Sequence, residues 1–418
     1  MQQQNSPWFS SVRVLDLRNA FVYPPTSLGR TTLERHVGLG DSGRFWRCSR
    51  FNGLVMSFPR SARSGLPWQI GKHRHLTPRV GYLCIIAWMG SAIPDQQRRR
   101  FANRTVCVTG GAGFIGSHLS DALVECGAKV RIVDDFSNGR ESNLSGPASA
   151  AEVFRGSICD DAVLDRAFEG AEVVFHQAAL GSVPRSVEIP ALYHEVNVGG
   201  TLRVLEAARR HGVRRVVYAA SSSAYGNTAV LPKVESMRPD PLSPYAYTKL
   251  AGEHLMRAWG QCYGLETVSL RYFNIFGPRQ RHDSPYAAVI PMFAERIRSG
   301  VRPAIFGDGG QTRDFTFVAN AVHANLLAGS VSRALRGEMV NIACGTRFSL
   351  LQLLQSMSEV IGLPADPEFR PGRNGDVRDS EADIRLAGEL LGYQVVVPFM
   401  DGLRATLESS AHRTVGAR

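Results

Sequence analysis

Lysine is scarce in this sequence, and the usual patterns of metal and disulfide sites are missing from it. Only 4 of the 418 residues are lysine, against 44 arginines. The seven cysteines form no C-x-x-C pair and no cluster with histidine at metal-ligand spacing. We therefore predict no metal site, and we interpret all seven cysteines as reduced, buried thiols of a cytoplasmic protein.

Long apolar runs are also missing. The longest one in the first hundred residues, 80–93, has 14 residues and is interrupted by Gly81 and Gly90. A membrane-spanning helix needs about 20 apolar residues. The residues after Met1 do not show the charged start, apolar middle and cleavage site of a secretory signal. The sequence therefore predicts no membrane span.

Acidic residues are rare only near the N-terminus. Residues 1–100 hold 15 Lys and Arg against 4 Asp and Glu, whereas the other 318 residues hold 33 of each. The net charge of +11 thus belongs to a segment without a sustained period of 2 or 3.6. We expect residues 1–100 to be a basic extension that is disordered, loosely ordered or not native, with Met89 as an alternative start. An arm that anchors the chain to nucleic acid or acidic lipid is the less favoured alternative, and no nucleic-acid partner is expected.

From residue 104 onwards, short apolar runs alternate with segments of helical periodicity. "RTVCVTG", "AKVRIVDD", "EVVFH" and "VRRVVYAASS" have the character of buried strands, and helical patterns of 10–20 residues follow several of them. This alternation predicts an α/β fold with a doubly wound parallel sheet of the Rossmann type. We place this domain at 101–277. A smaller C-terminal α/β domain, mainly for substrate binding, is expected at 278–418, with about 314–343 returning to the main sheet.

The sequence "TGGAGFIG" places Gly110, Gly113 and Gly116 between the first strand and the first helix of this pattern. Glycines at this spacing let the chain turn tightly and let backbone N–H groups approach a pyrophosphate. Asp134 ends the next strand, 18 residues after Gly116. A carboxylate at that place accepts hydrogen bonds from ribose hydroxyls and repels a 2′-phosphate. The motif therefore predicts NAD, rather than NADP, as the cofactor of the 101–277 domain.

Three serines, 221–223, follow an apolar run, but alanines flank them where the G-x-S-x-G elbow of a serine hydrolase requires glycines. Tyr245 and Lys249 lie four residues apart and thus on one face of a predicted helix. A phenol titrates near pH 10, and an ammonium and an NAD⁺ ring beside it lower its pKa. We therefore predict that Tyr245 exchanges a proton with the substrate, assisted by Lys249 and Ser221, with Ser222 as an auxiliary hydroxyl.

Together these segments resemble the extended short-chain dehydrogenase/reductase family, over about residues 104–400. Within that family the chain is similar to nucleotide-sugar 4-epimerases, above all those of the UDP-N-acetylglucosamine type. Besides the glycine loop, the resemblance rests on eight segments in the family's order: "HQAALGSVPRS", "NVGGT", "ASSSAYG", "LSPYAYTK", "LRYFNIFGPRQ", "YAAVIP", "GDGGQTRDF" and "GDVRDSEAD".

The resemblance implies two sets of binding residues in addition to the catalytic ones. Besides the three glycines, the cofactor set is Phe114, Ile115, Asp134, Ser157, Ile158, Gln177, Ala178, Ala179, Tyr245 and Lys249. The substrate set is Gly181, Ser182, Ser221, Asn274, Ala288, Val289, Arg313, Arg373 and Ser380. Arg313 and Arg373 would hold the diphosphate with their forked guanidinium groups. The resemblance also implies a homodimer, with helices near 197–211 and 245–262 packed against their mates as a four-helix bundle.

Two positions depart from the patterns of some family members. Ser157 in "GSICD" stands where others have an Asp that contacts adenine, so we expect a weaker cofactor contact. Ser380 stands where enzymes restricted to unacetylated sugars carry a bulky tyrosine, and overpacking of that kind costs about 1–3 kcal/mol. This predicts that the protein accepts UDP-GlcNAc and UDP-GalNAc, and it leaves the UDP-Glc and UDP-Gal pair open.

The implied reaction is a reversible inversion at C4 of the sugar. Tyr245 takes the proton of the 4-hydroxyl, the C4 hydride passes to NAD, and the 4-keto sugar turns before the hydride returns. A 4,6-dehydratase usually carries Asp-Glu after the hydroxyl residue, where this chain has Ser222 and Ser223. A UDP-uronic acid 4-epimerase stays open, because the sequence places no cation near C6. An NAD-sensing regulator is the alternative from another class, although such proteins usually lose the Tyr or the Lys.

Overall fold

The computed structural model describes residues 95–281, 288–372 and 377–411, together with the backbone of three strands nearer the N-terminus. The chain divides into two units, Met1–Arg74 and His75–Arg418. In the first unit β1 (Arg35–Leu39), β2 (Phe45–Phe51) and β3 (Leu54–Pro59) form an antiparallel sheet. The composition of this segment did not predict these strands. Met89 and the apolar run 80–93 lie outside the described residues.

The second unit is built on one seven-stranded parallel sheet. Its order is β14-β9-β8-β7-β4-β5-β6, and every neighbouring pair is parallel. The order reverses direction between β4 and β7, as in a doubly wound sheet. The predicted fold class is thus confirmed, and β14 brings the chain back to the main sheet after β9. The strands are β4 (Thr105–Thr109), β5 (Lys129–Asp134), β6 (Glu152–Arg155), β7 (Val173–His176), β8 (Arg215–Ser221), β9 (Glu266–Tyr272) and β14 (Arg336–Ile342).

Helices cover both faces of this sheet, so its central strands are apolar on both sides. In β4, Val106 and Val108 point into one hydrophobic core and Cys107 into the other, as the period of 2 requires. The helices of the second unit are α1 (Asp95–Phe101), α2 (Phe114–Glu125), α3 (Asp161–Phe168), α4 (Val183–Glu188), α5 (Pro190–His194), α6 (Gly200–Arg210), α7 (Pro244–Cys262), α8 (Val289–Arg298), α9 (Val318–Ser330), α10 (Leu350–Ile361), α11 (Arg385–Leu391) and α12 (Phe399–Ala411). Helices α1, α2, α9 and α11 contribute to the first core, and α3, α6 and α7 to the second.

A third hydrophobic core lies among the elements that follow β9. It joins α8, α10 and α12 around a cluster of phenylalanines, including Phe276, Phe315, Phe317 and Phe399. Three short strand pairs accompany these helices: β10 (Ile275–Phe276) with β13 (Thr316–Phe317), β11 (Ala304–Phe306) with β16 (Glu368–Arg370), and β12 (Thr312–Arg313) with β15 (Phe348–Ser349). This part of the chain therefore has a core of its own beside the main sheet.

Five cysteines lie among the described residues, and all five are free thiols. Cys107 and Cys126 are buried, but Cys262 is exposed because it ends α7 at the protein surface. The prediction of buried thiols is therefore wrong for Cys262, and Cys159 and Cys344 are only half-buried. Within the described ranges, no helix is long and apolar enough to cross a membrane, and no group of three or more metal-ligating side chains occurs.

Candidate active site

The predicted functional residues meet at one edge of the main sheet. Gly110 follows β4, Asp134 ends β5, Ser221 ends β8 and Asn274 follows β9. Because the strands are parallel, their carboxyl ends share this edge. Dinucleotides bind at the carboxyl edge where the strand order reverses, which here is the gap between β4 and β7.

The glycine loop leaves room only for backbone at two of its positions. Gly110 has φ +70°, and a Cβ added to it would lie 2.7 Å from the backbone N and Cα of Ala178. A Cβ added to Gly116 would lie 2.1 Å from the carbonyl oxygen of Gly110. The first turn of α2 begins at Phe114 directly after this loop. The loop therefore fits the pyrophosphate of a dinucleotide, which needs exposed N–H groups and no side chains.

Asp134 is fixed beside the glycine loop before any ligand arrives. Its carboxylate is only 6% exposed and accepts hydrogen bonds from the N–H groups of Ala112 and Phe136, both at 2.8 Å. Burial raises the pKa of this carboxyl, and the two N–H groups oppose that effect. Each carboxylate oxygen keeps a further lone pair, so the group is still able to accept ribose hydroxyls.

The other cofactor candidates surround the loop. Gln177 ties the end of β7 to two neighbouring elements, because its Nε2 donates to Asn325 Oδ1 at 3.0 Å and its Oε1 accepts from the Tyr272 hydroxyl at 3.2 Å. The hydroxyl of Ser157 accepts from the Cys159 N–H at 3.1 Å. The remaining candidates are the buried Ile158, the half-buried Ala178 and Ala179, and Ile115 in the first turn of α2.

Ser221 links the serine run to Tyr245. Its oxygen accepts from the Ser223 N–H at 3.2 Å and lies 2.8 Å from the Ser223 hydroxyl oxygen. Ser221 also interacts with the Tyr245 phenol and acts to lower the pKa of that phenol, which is the effect of a group that stabilises a phenolate. Ser222 opens the half-buried 3-10 turn that follows β8.

The pKa of Tyr245 is raised in this chain, which corrects the expectation that the neighbouring ammonium lowers it. Burial is the main cause, Tyr193 adds to it, and the hydrogen bond with Ser221 opposes both. The Nζ of Lys249 donates to the Ala219 carbonyl at 2.8 Å, and burial lowers the pKa of Lys249 to about 7. The charge of Lys249 is not among the causes that shift the Tyr245 pKa, which leaves the positive ring of bound NAD⁺ as the other expected cause.

A buried ion pair lies one helical turn beyond Lys249. Glu253 accepts from Arg271 through two hydrogen bonds of 2.7 and 2.6 Å, and the two side chains are 7% and 1% exposed. The guanidinium of Arg271 lies 4.5 Å from the ring centroid of Tyr225. Glu253 is the group whose charge opposes the lowering of the Lys249 pKa.

Sequence reasoning missed a serine that contacts the start of α7, the helix that carries Tyr245. The N–H of Tyr245 donates to Ser186 Oγ at 3.1 Å, and Ser186 is fully buried. Ser186 follows the predicted sugar-binding residues Gly181 and Ser182 by a few positions. The N–H of Ser182 in turn donates to the Tyr193 hydroxyl at 3.1 Å. The segment "GSVPRS" contains this serine, but nothing in its spacing shows that the hydroxyl meets the start of α7.

Three substrate candidates lie on neighbouring segments after β9. Asn274 has a left-handed backbone, φ +38°, and its Nδ2 donates to the carbonyl of Asp314 at 3.1 Å. The guanidinium of Arg313 donates to the Arg378 carbonyl at 3.2 Å, and Ser380 is 8% exposed two residues further on. The structure therefore brings Asn274, Arg313 and Ser380 into one cluster.

For the other substrate candidates the structure gives only their exposure and their position in a helix, and one of them lies outside the described residues. Arg373 lies outside the described residues. Ala288 is exposed at the start of α8, with Val289 as the first residue of that helix. Gly181 is exposed, and Ser182 is the N-cap of α4.

A model of the NAD dependent epimerase/dehydratase family matches residues 106–343. The UDP-glucose 4-epimerase of Mycolicibacterium smegmatis is 39% identical over 305 residues, which make up 72% of this chain and 96% of that protein. The solved UDP-N-acetylglucosamine 4-epimerase of Methanobrevibacter ruminantium, in complex with UDP-N-acetylmuramic acid, has a TM-score of 0.71 at 36% identity and covers 75% of this chain and 99% of its own.

A third relative carries both a sugar nucleotide and the cofactor. The UDP-glucuronic acid 4-epimerase of Bacillus cereus, solved with UDP-glucuronic acid and NAD, has a TM-score of 0.69 at 30% identity and covers 74% of this chain and 99% of its own. The match of the family model spans more than half of the chain, and the glycine loop and Tyr245 lie inside it. The chain therefore belongs to the NAD dependent epimerase/dehydratase family.

Proposed function

We propose that this protein interconverts the C4 epimers of a UDP-sugar, with UDP-GlcNAc and UDP-GalNAc as its preferred pair. The observation that carries the proposal is that Tyr245 interacts with the hydrogen-bonded pair Ser221 and Ser223 at the sheet edge that holds the glycine loop. The relatives named above include 4-epimerases of UDP-glucose, UDP-N-acetylglucosamine and UDP-glucuronic acid. Inversion at C4 is common to all three.

Bound NAD supplies the acceptor and donor of the C4 hydride. The residues of the chain transfer the proton and orient the sugar. The phenolate oxygen of Tyr245 takes the proton of the 4-hydroxyl, and the Ser221 hydroxyl stabilises the charge on that phenolate. Lys249 holds the end of β8 through the Ala219 carbonyl, which keeps Ser221 in place. The same phenol returns the proton when the configuration at C4 has been inverted.

Inversion requires that the sugar turn while the nucleotide stays bound. We assign the anchoring of the diphosphate to Arg313 and Arg373, because forked guanidinium groups bind phosphate oxygens in pairs. The Asp134 carboxylate would accept hydrogen bonds from the hydroxyls of the adenosine ribose of the cofactor. Asn274 would contact the sugar nucleotide. No net redox change occurs, so one NAD serves many turnovers.

A 4,6-dehydratase is disfavoured by the contacts of the serine run. That reaction must expel the 6-hydroxyl with an acid and a base, whereas Ser222 and Ser223 offer hydroxyls where a carboxyl pair would be needed. The hydroxyl of Ser223 is already hydrogen-bonded to Ser221. Elimination therefore lacks its proton donor and acceptor at this edge of the sheet.

The function is tested with purified protein and no added cofactor. Incubation with UDP-GlcNAc should produce UDP-GalNAc, detected by NMR, until the two sugars reach equilibrium. Parallel incubations with UDP-Glc and UDP-glucuronic acid compare the three sugar classes. If the protein converts UDP-glucuronic acid but neither UDP-GlcNAc nor UDP-Glc, it is a UDP-uronic acid 4-epimerase and the N-acetyl assignment is wrong. If it converts none of the three sugars, the proposal is contradicted.

The substitution Ser380→Tyr should lower kcat/KM for UDP-GlcNAc by about 10- to 100-fold and leave that for UDP-Glc nearly unchanged. Ser380 is buried beside Arg313, and a tyrosine there would fill the space that an N-acetyl group needs, at about 1–3 kcal/mol. Ser380→Ala is the matched control, since it removes the hydroxyl without adding volume. An unchanged preference between the two sugars in Ser380→Tyr would remove the pocket argument.

We also propose that the protein is a homodimer through α6 and α7. An apolar groove on the outer side of α7 is lined by Val198, Tyr247, Leu250, Ala251, His254 and Leu255. Tyr247 is 49% exposed, and an exposed aromatic side chain beside an apolar groove suits an interface between two copies of the chain.

The substitution Tyr247→Glu should therefore convert a dimer into a monomer, because it places a charge in the apolar groove. Light scattering after gel filtration measures the mass of both forms. The control is Phe369→Glu, which changes a similarly exposed aromatic residue on β16, 55% exposed. A monomeric wild-type protein, or a dimer that survives Tyr247→Glu, would contradict this interface.

A further inference from the structure

Asp314 is a fully buried carboxylate that accepts hydrogen bonds from three N–H groups on two backbone segments. It lies between β12 and β13 and is 0% exposed. Its Oδ1 accepts from the N–H of Cys344 at 3.0 Å, and its Oδ2 accepts from the N–H groups of Gly345 at 3.0 Å and Ala382 at 3.2 Å. The carboxylate thus joins the turn after β14 to the segment that follows Ser380.

The segments around Asp314 carry the proposed substrate residues. Arg313 precedes it in the chain, and Ala382 lies two residues after Ser380. The backbone carbonyl of Asp314 accepts from Asn274 Nδ2 at 3.1 Å. Asn274 has φ +38°, a conformation that is uncommon for residues with a side chain, so it depends on contacts of this kind.

Packing alone would not favour a carboxylate at this position, because burying a charged group is unfavourable. Transfer of a charged group from water is unfavourable unless hydrogen bonds compensate, and a neutral acceptor loses less. The charge, however, strengthens each of the three hydrogen bonds that it accepts. Asp314 therefore binds the two segments most firmly while its carboxylate is ionised.

We propose that Asp314 is a positioning residue of the UDP-sugar site, whose ionised carboxylate holds Arg313, Asn274 and Ser380 in the arrangement that binds the nucleotide diphosphate. The inference rests on the proposed function for the identity of the ligand. It assigns to Asp314 no contact with the substrate and no part in the chemistry. The glycine loop and Tyr245 have no contact with Asp314 among the bonds described here, so their geometry should not depend on it.

The charged and titratable groups around Asp314 determine the pH at which the hydrogen bonds of its carboxylate weaken. Burial raises the pKa of Asp314 to about 7, the three N–H groups oppose this, and the charge of Glu381 adds to the rise. Cys344 and Tyr393 face the carboxylate as neutral groups, because their own pKa values are raised by burial. Arg347 pairs with Glu381 at 3.1 Å. Asp314 therefore gains a proton as the pH falls through about 7, and binding of UDP should weaken below that pH.

The test is Asp314→Asn, with the affinity for UDP measured by calorimetry. In the variant an amide NH2 replaces one carboxylate oxygen, and it cannot accept hydrogen bonds from the N–H groups that face it. We therefore expect the dissociation constant for UDP to rise about tenfold or more at pH 8. The NAD content should stay at the wild-type level, and KM should rise more than kcat falls. Between pH 8 and 6 the affinity of the wild type should fall further than that of the variant, in which only the terminal phosphate of UDP still titrates, at a pKa of about 6. Asp401→Asn, on the surface of α12, is the matched control.

Two results would overturn the proposal. One is a dissociation constant for UDP that stays within about twofold of the wild type in Asp314→Asn. The other is an affinity of the wild type for UDP that is constant from pH 8 to 6. A loss of NAD in proportion to UDP would show a general defect of folding in the variant, and the wild-type titration then decides. UDP binding requires no turnover, so an inactive wild type that binds UDP in this way would refute the epimerase assignment and keep the role of Asp314.

Discussion

Replacing Tyr245 by phenylalanine should lower kcat by about 10²- to 10⁴-fold, the range that general acid–base catalysis contributes. The change removes one oxygen, which is the atom that interacts with Ser221 and that we propose exchanges the proton of the 4-hydroxyl. The ring remains, and the N–H of residue 245 still meets Ser186, so α7 keeps its place. Turnover of UDP-GlcNAc measures the loss, and the NAD content and UDP affinity should remain at wild-type values.

Tyr247→Phe is the matched control for this variant. It removes the same atom two residues further along the same helix, where the side chain is 49% exposed and faces away from Ser221. We expect no loss of kcat there. A Tyr245→Phe protein that interconverts the sugars at the wild-type rate would exclude the phenol as the proton-transferring group.

Replacing Gly116 by alanine should release the cofactor and reduce turnover to the background level. Alanine is a better helix former than glycine by about 1 kcal/mol, so helix propensity alone would make the change favourable. The added Cβ, however, would lie 2.1 Å from the carbonyl oxygen of Gly110, a backbone atom that cannot move without the whole loop. The displaced loop no longer presents its N–H groups to a pyrophosphate. The NAD content of the purified protein, measured by absorbance after extraction, tests this directly.

The control is Gly388→Ala within α11. There the added Cβ would meet its nearest atom, the Tyr393 carbonyl oxygen, at an ordinary 3.6 Å. Helix propensity should then dominate, and the melting temperature should stay the same or rise slightly with the NAD content unchanged. Full NAD content in Gly116→Ala would show that the glycine loop does not hold the cofactor as proposed.

The parts of this protein that could be predicted from its sequence are those set by local patterns. The alternation of apolar strands and amphipathic helices led to the parallel sheet, and the glycine spacing located its cofactor loop. A separation of four residues placed Tyr245 and Lys249 on one helix face. Each of these signals lies within about twenty residues, where helix and strand periodicity fix the geometry.

Other features depend on contacts between distant segments, and only the tertiary structure decided them. Tyr245 meets Ser186 across 59 positions, and Asp314 meets Cys344 across 30 and Ala382 across 68. The effect of burial on the Tyr245 pKa could not be predicted for the same reason, since it depends on how deeply the assembled fold buries the phenol. The sequence by itself determined the fold class, the cofactor loop and the family, because local periodicity and glycine geometry specify them. Packing decided which hydroxyl contacts the start of α7, which carboxylate joins the substrate segments and how burial shifts each pKa, because desolvation and long-range hydrogen bonds exist only once the chain has folded.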